Sequence, residues 1–157
     1  MNQKINERRR FIKTSIVVPM LGVMPWKLSY AAVVSNNNFP VPDNIHSELI
    51  KIYGESANTI VSSDKLKLKT PDIAENGAVV SVTVKVEKGL ASSMSIFVAG
   101  NPKPLASTST FHEGSDLFVS LRVKVGRSSD LYAIAQTKNG LIGVKNHVKV
   151  TIGCGGG

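Results

Sequence analysis

The chain has 157 residues, of which 42% are hydrophobic and 19% charged, with 19 Lys and Arg against 11 Asp and Glu and a formal net charge of +8. It carries one cysteine, Cys154, so it can build neither an internal disulfide framework nor a cysteine-based structural zinc site. Any core must therefore stand on burial alone.

The first 31 residues do not read as part of a fold. Arg8-Arg9-Arg10-Phe11-Ile12-Lys13 is a twin arginine followed by an apolar pair and a lysine. An apolar run follows, Ile16-Val17-Val18-Pro19-Met20-Leu21-Gly22-Val23-Met24, and then Ser29-Tyr30-Ala31-Ala32, small residues of the kind a signal peptidase cuts between. A basic start, a short apolar stretch and an alanine-type cleavage site describe an export signal. Arg8, Arg9 and Phe11 point to the twin-arginine route. The apolar run is broken by Pro19 and closed by Pro25, and it falls well short of the ~20 residues that span a bilayer. The expectation is export to the periplasm, cleavage near Ala31 or Ala32, and no membrane association afterwards.

Residues 1–31 hold six of the basic residues and one of the acidic ones, which leaves 13 basic against 10 acidic and a net charge of +3. Nucleic-acid binding needs a basic patch on the folded domain, and little remains to build one. The lysines of Lys65-Leu66-Lys67-Leu68-Lys69 alternate with leucines and read as the solvated face of a strand. About 125 remaining residues suit one domain.

Residues 32–44 are polar and broken by prolines, and read as a loose leader. From Ile45 to Tyr53, apolar residues at Ile45, Leu49, Ile50 and Tyr53 predict a short amphipathic helix, with Asp43 or Asn44 as N-cap and Gly54 ending it. The period then switches to two. Val80, Val82, Val84 and Val86 alternate with Ser81, Thr83, Lys85 and Glu87, the pattern of a half-buried strand. Further strands are expected at Met94 to Ala99 and Leu117 to Val125. Leu131 to Thr137 and Leu141 to Ile152 form a pair joined through the turn dipeptide Asn139-Gly140. Weaker segments lie at Leu66 to Thr70 and Thr108 to His112. About seven short strands, each with one apolar face, predict an all-β, immunoglobulin-like antiparallel sandwich over residues 45–152. A small open barrel is the alternative architecture.

The chain closes with Gly153-Cys154-Gly155-Gly156-Gly157. Glycine lacks a Cβ and permits wide backbone freedom, so residues 153–157 read as a flexible arm with a reach of up to roughly 17 Å. A thiol on such an arm can enter a narrow cleft in another protein. At a pKa near ~8.5 it is only a few per cent thiolate at neutral pH, and a partner must supply the electropositive setting that activates it. Nothing beside Cys154 in sequence can serve as its base, and catalysis needs a rigidly held geometry. The arrangement suits a covalent carrier better than an enzyme, and no cofactor is implied. His46, His112 and His147 lack metal-ligand spacing, and His147 falls on the lysine side of the last strand. Glu113 and Asp116 flank a turn at Gly114-Ser115 and read as loop residues.

Three segments resemble the SoxY family, the sulfur-carrier subunits of bacterial thiosulfate oxidation. They are Pro71-Asp72-Ile73-Ala74-Glu75-Asn76-Gly77, Asn101-Pro102-Lys103-Pro104, and Val148-Lys149-Val150-Thr151-Ile152 leading into the glycine–cysteine tail. The resemblance implies a non-catalytic carrier that holds thiosulfate-derived sulfur on Cys154, with Gly153, Gly155 and Gly156 as the arm. It also implies a SoxZ-like subunit as heterodimer partner, export of the folded pair, and partner enzymes that load, oxidise and hydrolyse the bound sulfur. One departure stands out: the family tail reads Gly-Gly-Cys-Gly-Gly, whereas a single glycine precedes Cys154, which shortens the thiol's reach by about 3 Å. The alternative from a different class is an exported structural module that dimerises through Cys154.

Overall fold

The computed structural model describes residues 39–151. One helix, α1 (Asp43–Tyr53), and a 3-10 turn (Gly54–Asn58) precede nine strands: β1 (Ile60–Ser62), β2 (Leu66–Lys69), β3 (Ile73–Ala74), β4 (Val80–Val86), β5 (Ala91–Val98), β6 (Leu105–Thr110), β7 (Phe118–Val123), β8 (Ser129–Thr137) and β9 (Gly140–Val150). They form two sheets. The larger runs β1-β9-β8-β5-β6, with β3 also on β9, and the smaller runs β2-β4-β7.

The expected sandwich is present, with differences of detail. β1 and β3 escape the sequence pattern because they have only three and two residues, too few to show a period, and both run parallel to β9. The remaining pairings are antiparallel. Alternation carries through where it was read: Val80, Val82, Val84 and Val86 are buried, and Lys67 and Lys69 face solvent while Leu66 and Leu68 do not.

The β8–β9 hairpin pairs Thr137 with Gly140, so its two-residue loop is Lys138-Asn139 rather than Asn139-Gly140. A mirror-image turn would need positive φ at Asn139, yet the positive φ falls on Gly140 (118°) and, among the described residues, on no non-glycine residue. The glycine serves as the first ladder residue after the turn, and Thr137 Oγ1 donates to its carbonyl at 2.8 Å.

Helix α1 begins two residues before its expected start, with Pro42 rather than Asp43 or Asn44 in the N-cap position. Prolines 40 and 42 hold their neighbours extended, so the helix opens directly after the second, where a missing N–H costs nothing. The Asn44 side chain accepts from its neighbour Ile45 N–H at 3.0 Å and donates to the Ala99 carbonyl at 3.1 Å, tying the helix to the end of β5. Gly54 ends the helix as expected, at φ 61°.

Residues 39–44, read from sequence as part of a loose leader, are packed. Phe39 N–H donates to Ile60 O at 2.8 Å, and its ring meets Tyr132 edge-on at 5.9 Å. Phe39 also lies against Gly143, where any Cβ would come within 2.6 Å of the ring. Residues 32–38 lie outside the described residues.

Two cores result. Between the sheets, the four β4 valines meet Met94, Ile96 and Val98 of β5 and Leu131, Ala133 and Ala135 of β8. On the outer face of the large sheet, Ile45, Leu49 and Tyr53 of α1 cover Phe97, Tyr132, Ile134 and Leu141. The central strands β5 and β8 are thus buried on both faces, which explains the unbroken apolar stretch Leu131–Ala135. Ser95, the buried polar residue in this layer, shares hydrogen bonds with Tyr53 OH (2.8 Å) and Thr108 Oγ1 (3.0 Å).

Because Leu49 is wholly buried in the outer core, Leu49→Ala should destabilise the domain by about 2–5 kcal/mol, read as an earlier denaturant midpoint. Ile50→Ala, on the exposed side of the same helix, should change it by about 0.5 kcal/mol or less.

Candidate functional site: the root of the C-terminal tail

Cys154 and the arm residues Gly153, Gly155, Gly156 and Gly157 lie outside the described residues, as do Arg8, Arg9 and Phe11 of the export signal and the Ala31-Ala32 cleavage site. What the structure presents is the platform from which the tail continues. Its last residue, Thr151, stands three positions before Cys154, an extended span of about 10 Å.

That platform is pinned on both sides. Lys149 N–H donates to Asp72 O at 2.9 Å and Thr151 N–H to Ala74 O at 3.1 Å, so β3 holds one edge of the strand end. On the other edge, Val150 N–H donates to Ser128 Oγ at 2.9 Å. Three successive backbone donors therefore have partners within the fold, and Thr151 Oγ1 adds a longer contact to Glu75 O at 3.4 Å. The end of a chain usually frays because its amides have only water to bond. Here the last turn of backbone before the tail is fixed.

The segment Pro71–Gly77 supplies this clamp. Asp72 and Ala74 give the accepting carbonyls, and Asn76 Oδ1 accepts from Ala78 N–H at 2.8 Å, turning the chain toward β4. Gly77 sits where the clamp, β9 and the β7–β8 connection converge. Its carbonyl accepts from Val125 N–H at 2.7 Å. A Cβ there would collide with the Val125 carbonyl oxygen and approach Val150 Cγ1 to 2.8 Å. Asn101 binds the same end of the sandwich together: its Nδ2 donates to Lys124 O at 2.7 Å, and its Oδ1 accepts from Gly126 N–H at 2.9 Å. Two of the three segments that carry the family resemblance thus gather around the third. Sequence periodicity could not have shown this, because their contacts are to backbone atoms more than twenty residues away.

Next to the root, on the outward face of β8 and β9, Asp130 accepts from His147 Nδ1 at 2.7 Å and from Lys145 Nζ at 3.0 Å. An ionised carboxylate only accepts, so the imidazole proton on this bond sits on Nδ1. His147 holds the Asp130 carboxyl below its ordinary range; partial burial opposes this, and Lys145 adds to it. Lys145 also lies 5.9 Å from the centre of the Tyr132 ring, whose hydroxyl burial pushes up. As expected from its place among the lysines, His147 is solvent-exposed; its carboxylate partner was not foreseen. His112 and Glu113 line a cleft with Leu90, Phe111, Leu117 and Gln136 at the opposite end of β9 from the tail. Among the described residues no group of three or more His, Cys, Asp or Glu gathers as a metal site.

A family model, sulfur oxidation protein SoxY, matches residues 50–154. Among solved structures, the sulfur carrier protein SoxY from Chlorobium limicola f thiosulfatophilum is 30% identical with a TM-score of 0.63, over 69% of this chain and 97% of that one. A superoxide reductase (neelaredoxin) variant from Ignicoccus hospitalis, 19% identical with a TM-score of 0.50 over 69% of this chain and 91% of that one, shares the fold. A comparison with curated protein sequences finds no match.

Gly77→Ala should push Val150 from its place. The expected outcome is a loss of about 1–3 kcal/mol in stability, with amide shifts in a nitrogen–proton correlation spectrum centred on Lys149, Val150 and Thr151. Asp130 has a depressed folded-state pKa, so its contribution to stability is full above its unfolded value and is lost as pH falls through the folded one. Asp130→Asn should therefore flatten the decline in unfolding midpoint below about pH 4 while leaving the slope above it unchanged.

Proposed function

The chain belongs to the SoxY family of sulfur carriers, and from that premise we propose that it is an exported, non-catalytic protein that holds thiosulfate-derived sulfur covalently on Cys154. The observation that carries this reading is the extent of the family match, which runs from α1 through the sandwich and reaches Cys154 itself.

The chemistry follows from the residue and its setting. Loading joins the Cys154 sulfur to the outer sulfur of thiosulfate; the thiol gives up its proton, and two electrons pass to the loading enzyme. A second enzyme hydrolyses the terminal sulfonate, releasing sulfate and leaving a persulfide on Cys154; a third oxidises the outer sulfur of that persulfide to a sulfonate, with oxygen from water and the electrons passing to that enzyme, and a second hydrolysis releases it as sulfate and restores the thiol. The carrier contributes a nucleophile and its delivery. The glycines at 153, 155, 156 and 157 put no side chain beside the thiol, so a partner's cleft need admit only backbone and sulfur. The pinned platform at Lys149–Thr151 supports this division of labour: the backbone is held in place up to Thr151, three residues before the thiol.

The wider setting belongs to the same proposal. Residues 1–31 direct the protein through the twin-arginine route to the periplasm, and a SoxZ-like subunit is its heterodimer partner. The single glycine before Cys154 makes the arm one residue shorter on its inner side than the family's usual tail. A longer inner arm should therefore be tolerated: inserting a glycine between Gly153 and Cys154 should preserve loading.

Mass spectrometry of the protein from thiosulfate-grown cells should show reducible sulfur adducts on the Cys154 peptide, and Cys154→Ser should abolish both the adduct and thiosulfate-dependent sulfate release. An unmodified peptide, together with normal turnover in the Cys154→Ser strain, would refute the carrier reading. A stable disulfide dimer with no sulfur adduct would instead favour a structural module joined through Cys154.

A further inference from the structure

The two sheets carry different outer faces. Helix α1 covers that of the larger sheet, while the outward positions of β2, β4 and β7 are left to solvent. The register places them in rows. Lys67 stands beside Lys85 and Lys85 beside Phe118; the next row is Lys69, Thr83 and Ser120, and Ser81 beside Arg122 makes the last. The Thr83 and Ser120 hydroxyls are hydrogen-bonded at 3.1 Å, so both point to this side. Of these residues only Thr83 is half-buried; the others are exposed.

The face holds four cations, and the three strands contain no acidic residue. Glu87 and Asp116 lie just past the strand ends, and Glu87 pairs with Lys65 at 3.8 Å. None of Lys67, Lys69, Lys85 and Arg122 belongs to an ion pair among the described residues. Residues 32–157 have 13 basic and 10 acidic side chains; without these four cations the balance is 9 to 10, so the whole positive excess lies on this one face. Like charges directly opposite one another destabilise a sheet, and Lys67 and Lys85 are so placed. An anionic partner turns that repulsion into attraction.

The position of the face narrows the partner. β7 runs from Phe118 toward the root of the tail: three residues past Arg122, Val125 N–H donates to Gly77 O, and Gly77 abuts Val150. A body seated here has the start of the Cys154 tail at its margin. We propose that the outer face of the small sheet docks an acidic patch on an enzyme that works on the sulfur held by Cys154, an inference that rests on the carrier reading. The middle of the face is the Thr83–Ser120 pair, and its large apolar residue, Phe118, stands at a corner. Tight interfaces centre on buried aromatic anchors, whereas a polar centre ringed by cations speeds encounter and gives a weak, salt-sensitive complex. That suits a carrier that must leave one enzyme for the next.

The test adds purified protein to a periplasmic extract of a strain lacking the chain, and reads thiosulfate-dependent sulfate release against protein concentration. Lys67→Glu with Lys85→Glu should raise the half-saturating concentration about tenfold at roughly 0.01 M salt and keep the maximal rate, with most of the difference gone at roughly 0.3 M. Lys51→Glu with Lys138→Glu, the same change of charge elsewhere, should move it little. Lys85→Gln relieves the cross-strand repulsion, so it should raise the unfolding midpoint while still weakening docking about two- to threefold; a purely structural role moves both in one direction. If the wild-type protein restores no sulfate release, the carrier reading fails and this proposal with it. If it restores release and the face variants saturate as it does, or the control pair loses as much, docking is overturned and the carrier reading stands. Loss of a SoxZ-like subunit from the face variants, or loss only of binding to phosphatidylglycerol vesicles, also overturns it by assigning the face to that subunit or to a lipid surface.

Discussion

The structure depends most on how β9 is held. Nine of its residues pair with β8 along one edge, and on the other edge β1 takes the beginning and β3 the end. Asn146, in between, donates to Leu68 O at 2.8 Å and so ties β9 to the smaller sheet. With β8 along one edge and β1 and β3 at the two ends of the other, β9 cannot slide or fray without breaking several hydrogen bonds together. The last strand, where a domain usually frays, is here held at both of its ends.

That constraint explains features that otherwise look unrelated. The segment Pro71–Gly77 is barely regular structure, yet it supplies the two carbonyls that accept from Lys149 and Thr151 N–H and fix them. Gly77 is required by contact rather than by backbone conformation, because Val125 O and Val150 leave no room for a side chain. Asn101 bridges the β5–β6 turn to the β7–β8 connection, making one rigid end of the sandwich around the tail's root. In a carrier, the benefit of such an end is geometric. A fixed anchor gives docking partners a fixed place to look.

The second core has a comparable role on the outer face. A two-sheet sandwich of this size leaves the larger sheet's outer surface exposed. Here α1, with Phe39 and Val41, covers the middle of that surface and buries Phe97, Tyr132, Ile134 and Leu141. The helix N-terminus is tied by Asn44 to the Ala99 carbonyl toward the tail end, where Asp130, Lys145 and His147 form a polar cluster. The outer face is therefore divided into an apolar part that stabilises and a charged part beside the root that stays accessible.

By itself the sequence determined the elements whose signal is local. The β4 valines, the Lys–Leu alternation of β2, the β8–β9 hairpin and the short amphipathic helix all follow from side-chain period and from the turn residues between them. The family was legible from three short segments. What period could not reveal was decided by tertiary contact. β1 and β3 are too short to carry a pattern and exist as strands only because β9 offers them an edge. The packing of residues 39–44 rests on Tyr132 and Gly143, about a hundred residues away. The meaning of Pro71–Gly77 is likewise invisible locally, since its carbonyls become a clamp only when the last strand arrives beside them. Local propensity fixes which residues can pair; which ones do is settled by the partners that folding brings within hydrogen-bonding distance.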